Sequence, residues 1–133
     1  MKSPVRPEMP EGLDKRYREV LARQLSMNVE TWRALQSHGV TETSELRLDF
    51  SYAAPDQASA EALKRALEEQ TDYEVEVRRE GGILRRRWVV AGCTQSTAIS
   101  PAILDQWVDW MVTAGLHQNC DFDGWGTEAP ARR

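Results

Sequence analysis

Asp105 and Asp109 stand four residues apart in a helical pattern, beside Trp107 and Trp110, with Asp121 and Asp123 following further along the chain. Carboxylates so spaced offer two kinds of chemistry, general acid–base transfer and the binding of a hard cation. The first requires a cleft that pushes two pKa values apart, and nothing in the neighbouring sequence marks one; acids along a helix surface are ordinarily solvated. His38 and His117 are isolated from one another, and His38 suits a cation beside a helix C-terminus. Ser96, Thr97 and Ser100 precede a helix, where hydroxyls serve turns and caps. Cys93 and Cys120 lack the CxxC spacing of a thiolate metal site. The pattern assigns no catalytic residue, no metal and no cofactor.

Two other stretches carry possible recognition chemistry. Arg78, Arg79, Arg85, Arg86 and Arg87 form a basic cluster able to meet RNA phosphates or an acidic protein segment, with Arg78, Arg85 and Arg87 as its surface. Glu74 and Glu76 interleave with it and no exposed aromatic pair accompanies it for stacking bases, so direct nucleic-acid binding is disfavoured against a solvated hairpin. The segment Asp123, Gly124, Trp125, Gly126 and Thr127 places two glycines around a large aromatic. It reads either as a partner-binding anchor or as a strand-end turn whose Trp125 packs back on the fold, with Asp123 capping nearby amides.

The elements that must position these residues fit one domain. The chain has 133 residues, 41% hydrophobic and 29% charged, with a formal net charge of −4. A chain of this size buries roughly two thirds of its unfolded surface and needs no disulfide or metal to fold. The acidic balance disfavours bulk attraction to nucleic acid or anionic lipid. No apolar run approaches the roughly 20 residues of a membrane span. The first dozen residues, with Pro4, Pro7 and Pro10, lack a signal-peptide core, and two cysteines fit a reducing compartment, so a cytoplasmic protein is expected.

Residues 14–26 set Tyr17, Val20, Leu21 and Leu25 on one stripe, and Asn28 then serves as N-cap of a second helix carrying Val29, Trp32 and Leu35 that stops at Gly39. Residues 45–52 alternate strictly, with Leu46, Leu48, Phe50 and Tyr52 on one face, which is a strand with one wet side. Asp56 or Ser59 caps a helix running to about Gln70. Residues 73–80 and 83–93 flank Gly81 and Gly82, the signature of a tight hairpin. If Glu80 pairs with Ile83, Val75 meets Trp88 and Tyr73 meets Val90 on the inner face. Glu74, Glu76, Arg78, Arg85, Arg87 and Cys93 then lie outside. Ser100 and Pro101 start a helix that Gly115 ends, and residues 119–122 form a last short strand with Cys120 and Phe122 inward.

The order is βαββαβ, expected to close as a ferredoxin-like α+β sandwich: a four-stranded antiparallel sheet with both helices on one face and two additional N-terminal helices. The expected division is a tail over 1–12, a helical extension over 13–40, the main domain over 41–128 and a tail over 129–133. Trp32, the run from Leu46 to Phe50, Trp88, Val89 and Val90, the helix from Pro101 and the Asp-Gly-Trp-Gly-Thr ending together resemble the RraB family of ribonuclease E inhibitors, over roughly residues 32–127. The resemblance implies a non-catalytic regulator that binds ribonuclease E and lowers RNA turnover. A different class also fits the fold: a small-molecule-binding or catalytic domain, betrayed by a deep apolar pocket with converging polar groups. RNA binding through the arginine hairpin is a third.

Overall fold

A computed structural model describes Met9, residues 11–81 and residues 87–127. Its elements are α1 (Asp14–Ser37), β1 (Glu45–Leu46), β2 (Asp49–Ala54), α2 (Gln57–Gln70), β3 (Glu74–Glu80), β4 (Arg87–Cys93), β5 (Thr97–Ala98), α3 (Pro101–His117) and β6 (Asp121–Gly126). Four strands form an antiparallel sheet in the order β3-β4-β2-β6, and β1 with β5 forms a small two-stranded ribbon. Helices α2 and α3 touch each other and pack on one sheet face, whose inward residues include Phe50, Tyr52, Val90 and Phe122. Helix α1 lies across α3 and reaches the β6 edge.

The expected pair of N-terminal helices is a single helix. No glycine or proline interrupts residues 14–37, and the buried positions Val20, Gln24, Asn28, Trp32 and Leu35 continue one stripe at helical spacing. Asn28 is an interior helical residue instead of an N-cap, and Val29 points to solvent at 53% exposure. The apolar pattern looked broken because two polar residues occupy its buried stripe. The stop is as expected. Gly39 adopts φ 90°, its N–H donates to the carbonyl of Gln36, and that of Val40 donates to the carbonyl of Leu35, which closes a Schellman motif.

The alternation of residues 45–52 holds for burial, with Leu46, Leu48, Phe50 and Tyr52 all buried, but the strand divides. Glu45 and Leu46 pair with Ala98 and Thr97, whereas Asp49 onward pairs with β4 and β6. Asp56 caps α2, its carboxylate accepting from the Ser59 amide at 2.7 Å. Ser100 caps α3 in the same way, accepting from the Ile103 amide at 3.2 Å.

The hairpin register differs from expectation. Glu80 pairs with Arg87 and Val75 with Gly92, a shift of four residues that leaves residues 81–86 as the connection. Gly82, Ile83 and the tight turn itself, with Arg85 and Arg86, lie outside the described residues, as do residues 128–133 and most of the expected N-terminal tail. Gly92 sets the register: a Cβ there would stand 2.1 Å from the carbonyl oxygen of Glu74 and 2.8 Å from the Phe50 ring. Because four is even, the faces are unchanged. Val75, Val77 and Trp88 still pack against the core and Val90 is buried in it.

Helix α3 continues past Gly115 to His117. Gly115 is a close-packing residue, since a Cβ would meet the Tyr52 ring at 2.6 Å and the Cys120 carbonyl at 2.9 Å. The left-handed residue that ends the helix is Asn119, at φ 61°, with the amides of Asn119 and Cys120 donating to the carbonyls of Leu116 and Gly115.

Candidate functional site

Strand β6 carries the Gly-Trp-Gly segment along one edge of the sheet. Its pairing with β2 shifts by one residue between Ser51 and Tyr52, so that Ser51 opposes Gly124 while Tyr52 opposes Phe122. The extra residue, Asp123, is exposed, and Gly124 takes φ 145°, which a side chain rarely adopts. The bulge turns Trp125 back to the inner face opposite Phe50. Its ring meets Trp107 edge-on with centroids 6.1 Å apart, and its Nε1 donates to Asn28 Oδ1 at 2.7 Å. Thr127 donates its hydroxyl to the Arg47 carbonyl at 2.6 Å. Trp125 is half-buried, packed by its ring and accessible at the sheet edge.

Of the carboxylates considered for acid–base or metal chemistry, Asp105, Asp109 and Asp121 are spent on this same corner, and Asp123 is exposed at the bulge. Asn28 Nδ2 donates to Asp105 at 3.0 Å, so one buried amide joins α1, α3 and Trp125. The Tyr17 hydroxyl donates to Asp109 at 2.6 Å. Arg16 grips Asp121 through two nitrogens, and that bond raises the Arg16 pKa. Gln24, 2% exposed, directs its amide toward the Phe122 carbonyl at 3.5 Å. Among the described residues no group of three or more His, Cys, Asp or Glu is placed to hold a metal ion. The sequence pattern passes over Gln24 and gives Asn28 as an N-cap; the only signal of their buried roles is two polar residues at the spacing of a buried stripe.

The second sheet face has no described helix packed over it. Across it, the register aligns Glu76, Ala91, Ser51 and Gly124 in one rung and Glu74, Cys93, Asp49 and Gly126 in the next. Small residues in the centre leave a wide, shallow depression of about 910 Å³, with Met27 of α1, 44% exposed, on its rim. At one end Arg47 donates to Glu74 Oε2 at 2.6 Å and to Cys93 Sγ at 3.0 Å, while the Cys93 thiol donates to Glu74 at 3.1 Å. Hydrogen bonds from Cys93 and Arg47 hold the Glu74 carboxyl below its usual pKa, and burial, ahead of these partners, raises that of Cys93. Cys93 and the fully buried Cys120 are both free thiols.

Among the described residues of the basic hairpin, each arginine has a partner. Arg78 bridges Glu76 and Glu80, each at 3.2 Å, Arg87 lies 3.8 Å from Glu80, and Arg79 stacks over Trp88 at 5.4 Å from the ring centre.

A family model described as regulator of ribonuclease activity B matches residues 25–127. The chain belongs to the RraB family. The matched span holds the second half of α1, the whole sheet and the β6 bulge. Comparison with curated proteins found no match. An RraB-family chain is a regulator of ribonuclease activity, which implies a protein partner. Among the described residues no helix is long and apolar enough to cross a membrane.

Proposed function

We propose that this chain is a non-catalytic regulator that binds ribonuclease E and modulates RNA turnover in the cytoplasm. The single observation carrying this reading is the family match across residues 25–127. The geometry is compatible with it. The strand order β3-β4-β2-β6, read as a ferredoxin-like sheet, leaves one face open, and the depression on that face is broad and open to solvent, which suits a docked segment better than an enclosed substrate. The Asp123 to Thr127 segment borders this face and is the proposed docking edge, with Trp125 half-exposed between two glycines. The carboxylates of α3 hold helices together, which supports a binding role over an acid–base one.

The direct test is surface-plasmon resonance with immobilised ribonuclease E and the purified chain. Saturable binding is expected, weakened by Trp125→Ala in protein that remains folded. Absence of binding by the unaltered chain would overturn the assignment of this partner.

A further inference from the structure

The open sheet face has a floor, a rim and a direction. Its central rung runs Glu76, Ala91, Ser51, Gly124, so beyond Glu76 the row carries only a methyl, a hydroxymethyl and a hydrogen. Four strands at a spacing of about 4.8 Å make this trough about 14 Å long, room for about four residues of extended chain at about 3.3 Å each. Met27 of α1, 44% exposed, lines the same depression and adds an apolar side chain to its border.

The rim carries a charge sign. Asp49, Glu74, Glu76 and Asp123 border the depression, and all four are exposed. Among the described residues the cations at this face are Arg47, Arg78 and Arg87, and each is already held, Arg47 by Glu74, Arg78 by Glu76 and Glu80, and Arg87 by Glu80. Asp49 and Asp123 form no ion pair among the described residues. We propose that this trough docks a short, extended, arginine- or lysine-rich segment of the ribonuclease, whose cations reach Asp49, Glu76 and Asp123 while a small or aliphatic residue lies over Ala91 and Ser51. The proposal rests on the reading that the chain binds a ribonuclease, and it specifies the chemistry of the bound segment. The described rim sets four carboxylates where phosphates would have to lie, which favours a cationic peptide over RNA.

The test uses the full chain and two probes: purified ribonuclease E, and a fluorescein-labelled hexapeptide alternating arginine and alanine. Two variants act on different features, Asp49→Lys with Glu76→Lys reversing the rim and Ser51→Trp filling the trough. Reversal of Glu61 and Glu68 on exposed positions of α2 is the control. Circular dichroism establishes that each variant is folded, and Asp49→Ala with Glu76→Ala replaces the reversal should that variant unfold. Ribonuclease affinity should fall about tenfold or more in both trough variants and stay within about twofold in the control, and unaltered binding should weaken with added salt. Intact ribonuclease binding by both trough variants overturns the trough and leaves the ribonuclease reading standing. Should the unaltered chain not bind ribonuclease E, that reading fails by itself and the hexapeptide decides the trough. Saturable peptide binding lost in both variants supports it, and no peptide binding overturns it.

Discussion

At the scale of single residues, Trp125 is held in the fold by its own contacts and is also the proposed partner anchor, and the two roles predict different outcomes for its removal. Its ring packs on Trp107 and its N–H is held by a buried amide, so Trp125→Ala should lower unfolding free energy by about 2–4 kcal/mol in denaturant titration, through cavity formation and an unsatisfied Asn28 oxygen. If it also anchors the partner, the folded variant should lose about 2 kcal/mol or more of ribonuclease E affinity. A variant that melts early yet binds normally when folded would make the tryptophan structural alone. The cysteines give a second residue-scale prediction. Burial pushes the Cys120 thiol up to about 12, ahead of the nearby Asp121 and Asp56 charges. The folded state favours its protonated form, so this contribution to stability is full below the ordinary thiol pKa and declines as pH rises from there toward 12. At pH 8 a thiol reagent should therefore label Cys93 in the native protein and Cys120 only after denaturant is added; equal labelling in the native state would contradict the burial. Asn28 shows what the sequence hides at this scale. Asparagine is a good N-cap by local rules, and only partners 77 and 97 positions away keep it inside a helix.

At the scale of elements, starts and stops were legible where the chemistry is local. Asp56 and Ser100 cap their helices and Gly39 ends α1, each through bonds that span only a few residues. The inward faces of β2, β3 and β4 were legible too, because alternation survives any even shift in register. The register itself was not, since the close approach of the Glu74 carbonyl to Gly92 decides it rather than the Gly81 and Gly82 pair. The two-residue β5 was missed for a similar reason: its pairing joins Glu45 to Ala98 and Leu46 to Thr97, far apart in sequence, and one threonine and one alanine leave no pattern. Gly115 was read as a helix end, whereas its role is contact with Tyr52, whose hydroxyl donates to the Met111 carbonyl at 2.8 Å and so fixes the ring. Gly115→Ala should accordingly cost about 1–3 kcal/mol by overpacking, seen as a lower denaturation midpoint. A neutral or stabilising result, as expected for an ordinary helical glycine, would show that the ring can move aside.

At the scale of the whole molecule, helices α2 and α3 cover one side of the sheet, α1 stitches α3 to the β6 edge through polar contacts, and the other side stays open. Of the described hairpin arginines, Arg78 and Arg87 are matched by Glu76 and Glu80 and Arg79 lies over Trp88, which argues against RNA binding through them. Arg78→Glu with Arg87→Glu should leave the fold intact, with stability changed by about 1 kcal/mol or less, since such exposed pairs contribute little. Retained ribonuclease regulation in that variant is expected, and a loss of RNA affinity in parallel with it would instead favour the RNA-binding reading. The central claim is that this RraB-family chain acts on a ribonuclease without chemistry of its own. The measurement that reaches it most directly is the rate at which purified ribonuclease E cleaves a labelled RNA as the chain is titrated in. The rate should fall to a plateau at saturating chain, with no cleavage by the chain alone. A rate unchanged at saturation, or RNA cleaved by the chain by itself, would contradict the account.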